Sequence, residues 1–206
     1  KIKSCEKDNY YGVTLHSDHE HLLMHQEFIK YFNKEKNKRL HIMETKSIKE
    51  LKEMYGGGKN GLDKNYSNKI FTNGDLTKLN TIKQFAGGKD YVKGKDIESF
   101  AKPSDLVTSD GGFDWKRENL QEAYRLIFSE IVSALKIQKD DGNFIIKIFE
   151  SYTKITIKMI QLLRQAYSTV YIAKPYTSRI SNSEKYLVCK GFKKSVITPK
   201  IINKLE

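Results

Sequence analysis

Residues 143–149 read NFIIKIF, directly after the turn signal Asp140-Asp141-Gly142. A short apolar run rich in β-branched and aromatic residues, bounded by such a signal, predicts a buried strand. Lys147 interrupts it. Burying an ammonium without a partner is costly, so two explanations compete. Lys147 can lie on the last pleat and lead its amine to water, or it can be paired within a site.

The flanking segments set the fold class. Residues 119–136 carry apolar residues at helical spacing, among them Ala123, Ile127, Ile131 and Leu135, and predict a long amphipathic helix. Before it, residues 105–109 (DLVTS) predict a strand that ends in Asp110-Gly111-Gly112. After NFIIKIF, residues 153–166 predict a helix, and residues 168–173 (STVYIA) and 186–190 (YLVCK) predict two strands with no helix between them. A connection without a crossover helix predicts an antiparallel hairpin at the edge of the sheet. The first half is less regular. It predicts strands over 10–15, 40–43 and 69–72, helices over 20–32 and 48–55, a weak helix or loop over 79–85, and a lysine- and glycine-rich surface loop over 86–102. Strands alternating with helices predict an α/β fold with a mostly parallel sheet, an antiparallel edge strand and helices on both faces.

Bulk properties narrow the function. A chain of 206 residues suffices for one domain with a proper core. No apolar stretch approaches the length of a membrane span, so no membrane association is expected. Two cysteines, Cys5 and Cys189, are too few for a disulfide framework and fit an intracellular, reducing compartment, nuclear or cytoplasmic. The net charge of +12 suits a polyanionic partner, nucleic acid first. Lysine, asparagine and isoleucine are abundant together, so an AT-rich coding sequence also accounts for part of that charge. Ligands of open α/β sheets sit beyond the carboxyl ends of the strands. Thr14, Leu15 and His16 follow the first strand, Gly74 and Asp75 the third, and Asp110 the fourth. Lys147 lies at the end of the fifth. Glu184 precedes the last strand, and an antiparallel course would bring it to the same rim. Asp110, Lys147 and Glu184 are therefore expected to converge, with the lysine paired to both acids.

The segments DLVTSDGGFD, NFIIKIFESYT and KPYTSRISNSEKYLVCKGFK, in that order, resemble the FtsJ-like (RrmJ-type) 2′-O-ribose methyltransferases. Within them they are most similar to eukaryotic and viral enzymes that act on the first transcribed nucleotide of capped mRNA. The resemblance runs from about Tyr10 to Lys193. It implies a Rossmann-like methyltransferase sheet and S-adenosylmethionine as methyl donor, with no metal. It also implies an RNA substrate, the 5′ end of capped mRNA, and other capping or transcription components as partners. Of the family's Lys-Asp-Lys-Glu tetrad it assigns Asp110, Lys147 and Glu184 as catalytic. Donor contacts fall to Thr14, Leu15, Asp75 and Asp110. Lys174, Arg179 and Lys190 become candidate RNA contacts. The family's first strand, its glycine-rich donor loop and the tetrad's first lysine have no counterpart here. The expectation is a single domain over 1–206 lacking that N-terminal part. A non-catalytic RNA-binding module with this fold is the alternative, and a methyltransferase of ribosomal or transfer RNA is a third reading.

Other signals point elsewhere. His21 and His25 share a helical face, but no third ligand stands at a familiar spacing. Gly56-Gly57-Gly58 lacks the lysine and hydroxyl pair of a phosphate loop. Trp115 suits stacking on a base or packing under the following helix equally well.

Overall fold

The computed structural model describes residues 8–15, 40–43, 45–46, 48–55, 72–89, 95–112, 120–179 and 181–206. The helix expected over 20–32, nearly all of the strand expected over 69–72, and the residues His16, His21, His25, Gly56-Gly57-Gly58 and Trp115 lie outside them.

In the first half, β1 (Tyr10–Gly12) and β2 (Leu40–Ile42) form a short parallel pair. Helices α1 (Ile48–Tyr55) and α2 (Leu79–Ala86) follow. The segment expected to be a surface loop over 86–102 instead contains an antiparallel ladder of β3 (Gly88–Lys89) with β4 (Asp96–Ile97). Its lysines and glycines hide two anchors, the buried Ala86 and Ala101. The Ala101 and Phe100 amides bond the Phe85 and Gln84 carbonyls, closing that segment onto α2.

The second half is one sheet in the order β5 (Ser104–Ser109), β6 (Gln138–Ile148), β8 (Lys185–Phe192), β7 (Tyr167–Ala173). Helix α3 (Leu120–Ile137) links β5 to β6, and α4 (Lys154–Ala166) links β6 to β7. β5 and β6 run parallel, and β8 is antiparallel to both β6 and β7. The antiparallel hairpin of β7 and β8 lies at the edge as expected, but within it β7 is the edge strand and the antiparallel β8 is inserted beside β6. Side-chain burial explains the order. Leu187 and Cys189 of β8 are fully buried, whereas most of β7 is exposed, so the more apolar strand takes the interior place. The α5 helix (Pro199–Leu205), which the sequence reading missed, begins with proline at its first turn, where the absent N–H costs nothing.

β6 starts five residues earlier than the pattern predicts. The Asp140-Asp141-Gly142 turn signal is real but sits in a register shift opposite β5, with Asp141 at φ 60°. Beyond it the pleat alternates. Phe144, Ile146 and Ile148 pack with Leu187, Cys189, Ile127, Ile131, Met159 and Leu163 into one core, covered by α3 and α4. Ile145 and Lys147 face the other side of the sheet, opposite Val188 and Tyr186. A strand apolar on both faces conceals its alternation, which is why Lys147 reads as an intrusion. Helix α4 is fixed at its start by Thr153, whose hydroxyl accepts the Thr156 N–H at 3.3 Å.

Candidate active site

Register alone brings the first two site residues together. Ser109 of β5 pairs with Ile146 of β6, so one step further sets Asp110 beside Lys147. The Lys147 amine lies 2.6 Å from Asp110 Oδ1 and donates to the Asp110 carbonyl oxygen at 3.3 Å. It also stands 5.6 Å from the centre of the Phe149 ring. Its side chain is only 12% exposed, against 68% for Asp110. Lys147 is thus held by a partner at the strand ends and does not snorkel.

Glu184 reaches the same rim but not the same amine. Lys147 is paired in register with Tyr186, and the Tyr186 hydroxyl donates to Glu184 Oε1 at 3.1 Å. The expected pairing of the lysine with both acids is therefore half met: Asp110 contacts Lys147, and Glu184 is engaged by tyrosine. Partial burial, the Glu184 hydrogen bond and the nearby Asp110 and Glu184 charges hold the Tyr186 hydroxyl above the ordinary tyrosine range. Tyr186 thus lies within electrostatic reach of both acids, a link the sequence reading missed. Its place two residues after Glu184, on the same pleat, was the available signal.

Glu130 was missed as well. It sits on α3, buried, and its Oε1 accepts the Gly111 N–H at 3.0 Å. Burial pushes its carboxyl up to about 7, against the lowering effect of the Gly111 hydrogen bond and Lys147; Asp110 adds to the rise. A Cβ at Gly111 would meet Glu130 Oε1 at 2.6 Å and Leu126 Cδ2 at 2.7 Å, so a side chain there would have to push these two side-chain ends aside.

The donor-side candidates line a cleft of about 1520 Å³. Thr14, Leu15 and Asp75 lie on one wall and β5 with Asp110 on the other; Glu130 also lines it. Gly74 presses so closely on the Thr14 carbonyl that any side chain there would collide, and its φ of 81° suits glycine. Asp75 Oδ1 accepts the Thr77 N–H at 2.9 Å and the Thr77 hydroxyl at 2.6 Å, so one carboxylate oxygen holds its own turn. The residues fit a donor carrying a nucleoside and a charged end: there is an acidic group at each wall, and Gly112 has open space beside it. Among the described residues no group of three His, Cys, Asp or Glu side chains could hold a metal ion.

The three basic candidates part company. Lys174 gives its amine to the Asn182 carbonyl at 2.9 Å, to the Asn182 side chain, and to the Glu184 carbonyl at 2.7 Å. All three ammonium protons are engaged, so Lys174 braces the loop that delivers Glu184 and has none left for a phosphate. Lys190 sits over Tyr171, 5.6 Å from its ring centre. It lies six positions beyond Glu184 along β8, about 20 Å away, so it does not border the rim. Arg179 stands exposed in the loop beside the rim.

A mixed sheet thus carries an acid and a lysine paired at the ends of adjacent parallel strands, with the acid lining a wide cleft. The description of FtsJ-like methyltransferases fits residues 8–192, and the chain belongs to that family, whose members use S-adenosylmethionine. Relatives include cap-specific mRNA (nucleoside-2′-O-)-methyltransferase 1 of Caenorhabditis elegans, 40% identical over 92 residues, 43% of this chain and 10% of that protein. The protein of the same name from Trypanosoma brucei brucei is 36% identical over 115 residues, 52% of this chain and 31% of that one. Inactive cap-specific mRNA (nucleoside-2′-O-)-methyltransferase 1B of Caenorhabditis briggsae is 36% identical over 91 residues, 43% of this chain and 11% of that protein. The chain thus spans roughly a tenth to a third of the relatives it matches.

Proposed function

We propose that the protein transfers a methyl group from S-adenosylmethionine to a ribose 2′-hydroxyl of RNA, at the first transcribed nucleotide of capped mRNA. The observation that carries this reading is the Lys147 amine 2.6 Å from Asp110, an acid that lines the cleft. Relatives bearing both active and inactive names share this stretch, so likeness alone does not decide activity and the site must.

The bound donor supplies an electrophilic methyl on a sulfonium. This chain's residues do the positioning, which can provide much of the acceleration. Transfer would form the O–CH3 bond and break S–CH3, with the neutral thioether leaving and the 2′-hydroxyl proton passing to water; the Lys147 ammonium, fixed by the Asp110 carbonyl and carboxylate, would stabilise the negative charge developing on the 2′-oxygen. Glu184, oriented by Tyr186, completes the acidic rim. Thr14, Leu15 and Asp75, which line the cleft, would hold the donor's nucleoside end. Arg179 and the net charge of +12 favour the RNA backbone.

Calorimetry with the donor, followed by methyl transfer to capped RNA carrying ribose or 2′-deoxyribose at the first nucleotide, tests the reading. Donor binding and transfer to ribose alone are expected. RNA binding with neither would make the protein a binding module, and transfer confined to ribosomal or transfer RNA would change the substrate.

A further inference from the structure

We propose that Glu130 is a positioning residue of this site: by accepting the Gly111 N–H it pins the turn that carries Asp110, and through Asp110 it places the Lys147 amine. The inference rests on the transfer reaction proposed above.

Three observations carry it. Glu130 is 5% exposed although it is a glutamate on the stripe of α3 that also buries Ile127, Ile131 and Ala134. Carboxylates are rarely buried so fully without a specific partner. Its partner is the backbone immediately after Asp110, at 3.0 Å. Finally, a Cβ at Gly111 would meet Glu130 Oε1 at 2.6 Å, so the bare glycine lets the carboxyl approach this backbone without being displaced. A chain of three contacts results, from Glu130 to the Gly111 amide, from the turn to Asp110, and from Asp110 to Lys147.

The charge on Glu130 matters for how firmly this chain holds. Facing it among the described residues are Asp110 at the end of β5 and Lys147 on β6, with opposite effects on its ionisation. Burial raises the carboxyl to about 7. Above that pH the Gly111 N–H meets a carboxylate and the bond is charge-assisted; below it the acceptor is a neutral carboxyl. The turn therefore tightens as Glu130 ionises.

The test combines two variants with one spectroscopic readout on the full protein. Glu130→Ala should lower kcat about 100-fold, the scale of an ångström-sized misplacement, with KM for the donor little changed. Glu130→Gln keeps an oxygen that can accept the same N–H and should restore kcat to within a few-fold, but without the pH step near 7. In the wild type the Gly111 amide resonance should titrate with a midpoint near 7, and in Glu130→Gln it should not. An alanine variant with wild-type kcat, or a Gly111 amide indifferent to pH across that range, overturns the proposal. If Glu130→Ala fails to fold, the glutamine variant and the amide titration still decide. If the wild type transfers no methyl at all, the reaction reading fails, while the Gly111 titration still judges whether Glu130 grips the turn.

Discussion

The two regions of the molecule that carry the candidate site are built to different standards. The β5–β8 half rests on a core in which Ile131, Phe144, Ile146, Leu163 and Leu187 are at most 1% exposed. The β1–β2 half rests on three-residue strands and a smaller cluster around Met43, Phe85 and Ala101, closed at its margin by Tyr11 stacked on His41. Asp110, Lys147 and Glu184 belong to the first half, and Thr14, Leu15 and Asp75 to the second. The groups whose geometry must be fixed to within a hydrogen bond stand on the dense platform. The groups that would only cradle a ligand stand on the thin one, where burial is slight and local opening is cheap.

That contrast can be broken at several points. The largest effect is expected on the rate. Asp110→Ala removes the acid in contact with Lys147 and should cost transfer about 1,000-fold in a steady-state assay, whereas Asp75→Ala should chiefly raise the donor Kd seen by calorimetry. On stability, Phe144→Ala should cost about 3–5 kcal/mol in denaturant unfolding. Tyr11→Ala, on the thin side, should cost about 1 kcal/mol, the scale of an aromatic pair. Equal losses would mean that the two halves form one core.

A slightly smaller effect concerns pH. Glu130 is held at about 7 in the folded protein against 4.5 ordinarily. Between those values the unfolded chain releases a proton that the native state keeps, so stability falls as pH rises, by about 3 kcal/mol in all at about 1.4 kcal/mol per unit. Glu130→Gln should lack that loss and be the more stable protein above pH 7, read as the difference between the two unfolding curves. The smallest effect belongs to Lys190→Ala, which should leave transfer within about twofold and the salt dependence of RNA binding nearly unchanged.

How legible this was from sequence follows the same division. The DLVTS and NFIIKIF strands, with an acid just past one and a lysine near the end of the other, told where Asp110 and Lys147 meet, because a parallel register with short exits leaves little freedom. Glu184 came to the right rim, but its partner is Tyr186, since strand spacing cannot say which of two nearby groups a carboxylate will choose. Lys174 looked like a phosphate contact. The carbonyls that occupy it, Asn182 and Glu184, are backbone groups of a folded loop and leave no trace in side-chain pattern. Glu130 was hidden for the opposite reason: a glutamate within an amphipathic helix reads as surface until the turn above it is seen. The inserted position of β8 depended on which strand buried more apolar area, and YLVCK against STVYIA held that answer unread.

The proposed transfer rests on the lysine in the strand. Lys147→Ala should be assayed for methyl transfer to capped RNA and, in the same preparation, for RNA affinity. Transfer lost by about 1,000-fold or more with affinity unchanged is the expected result; wild-type transfer without the amine would contradict it.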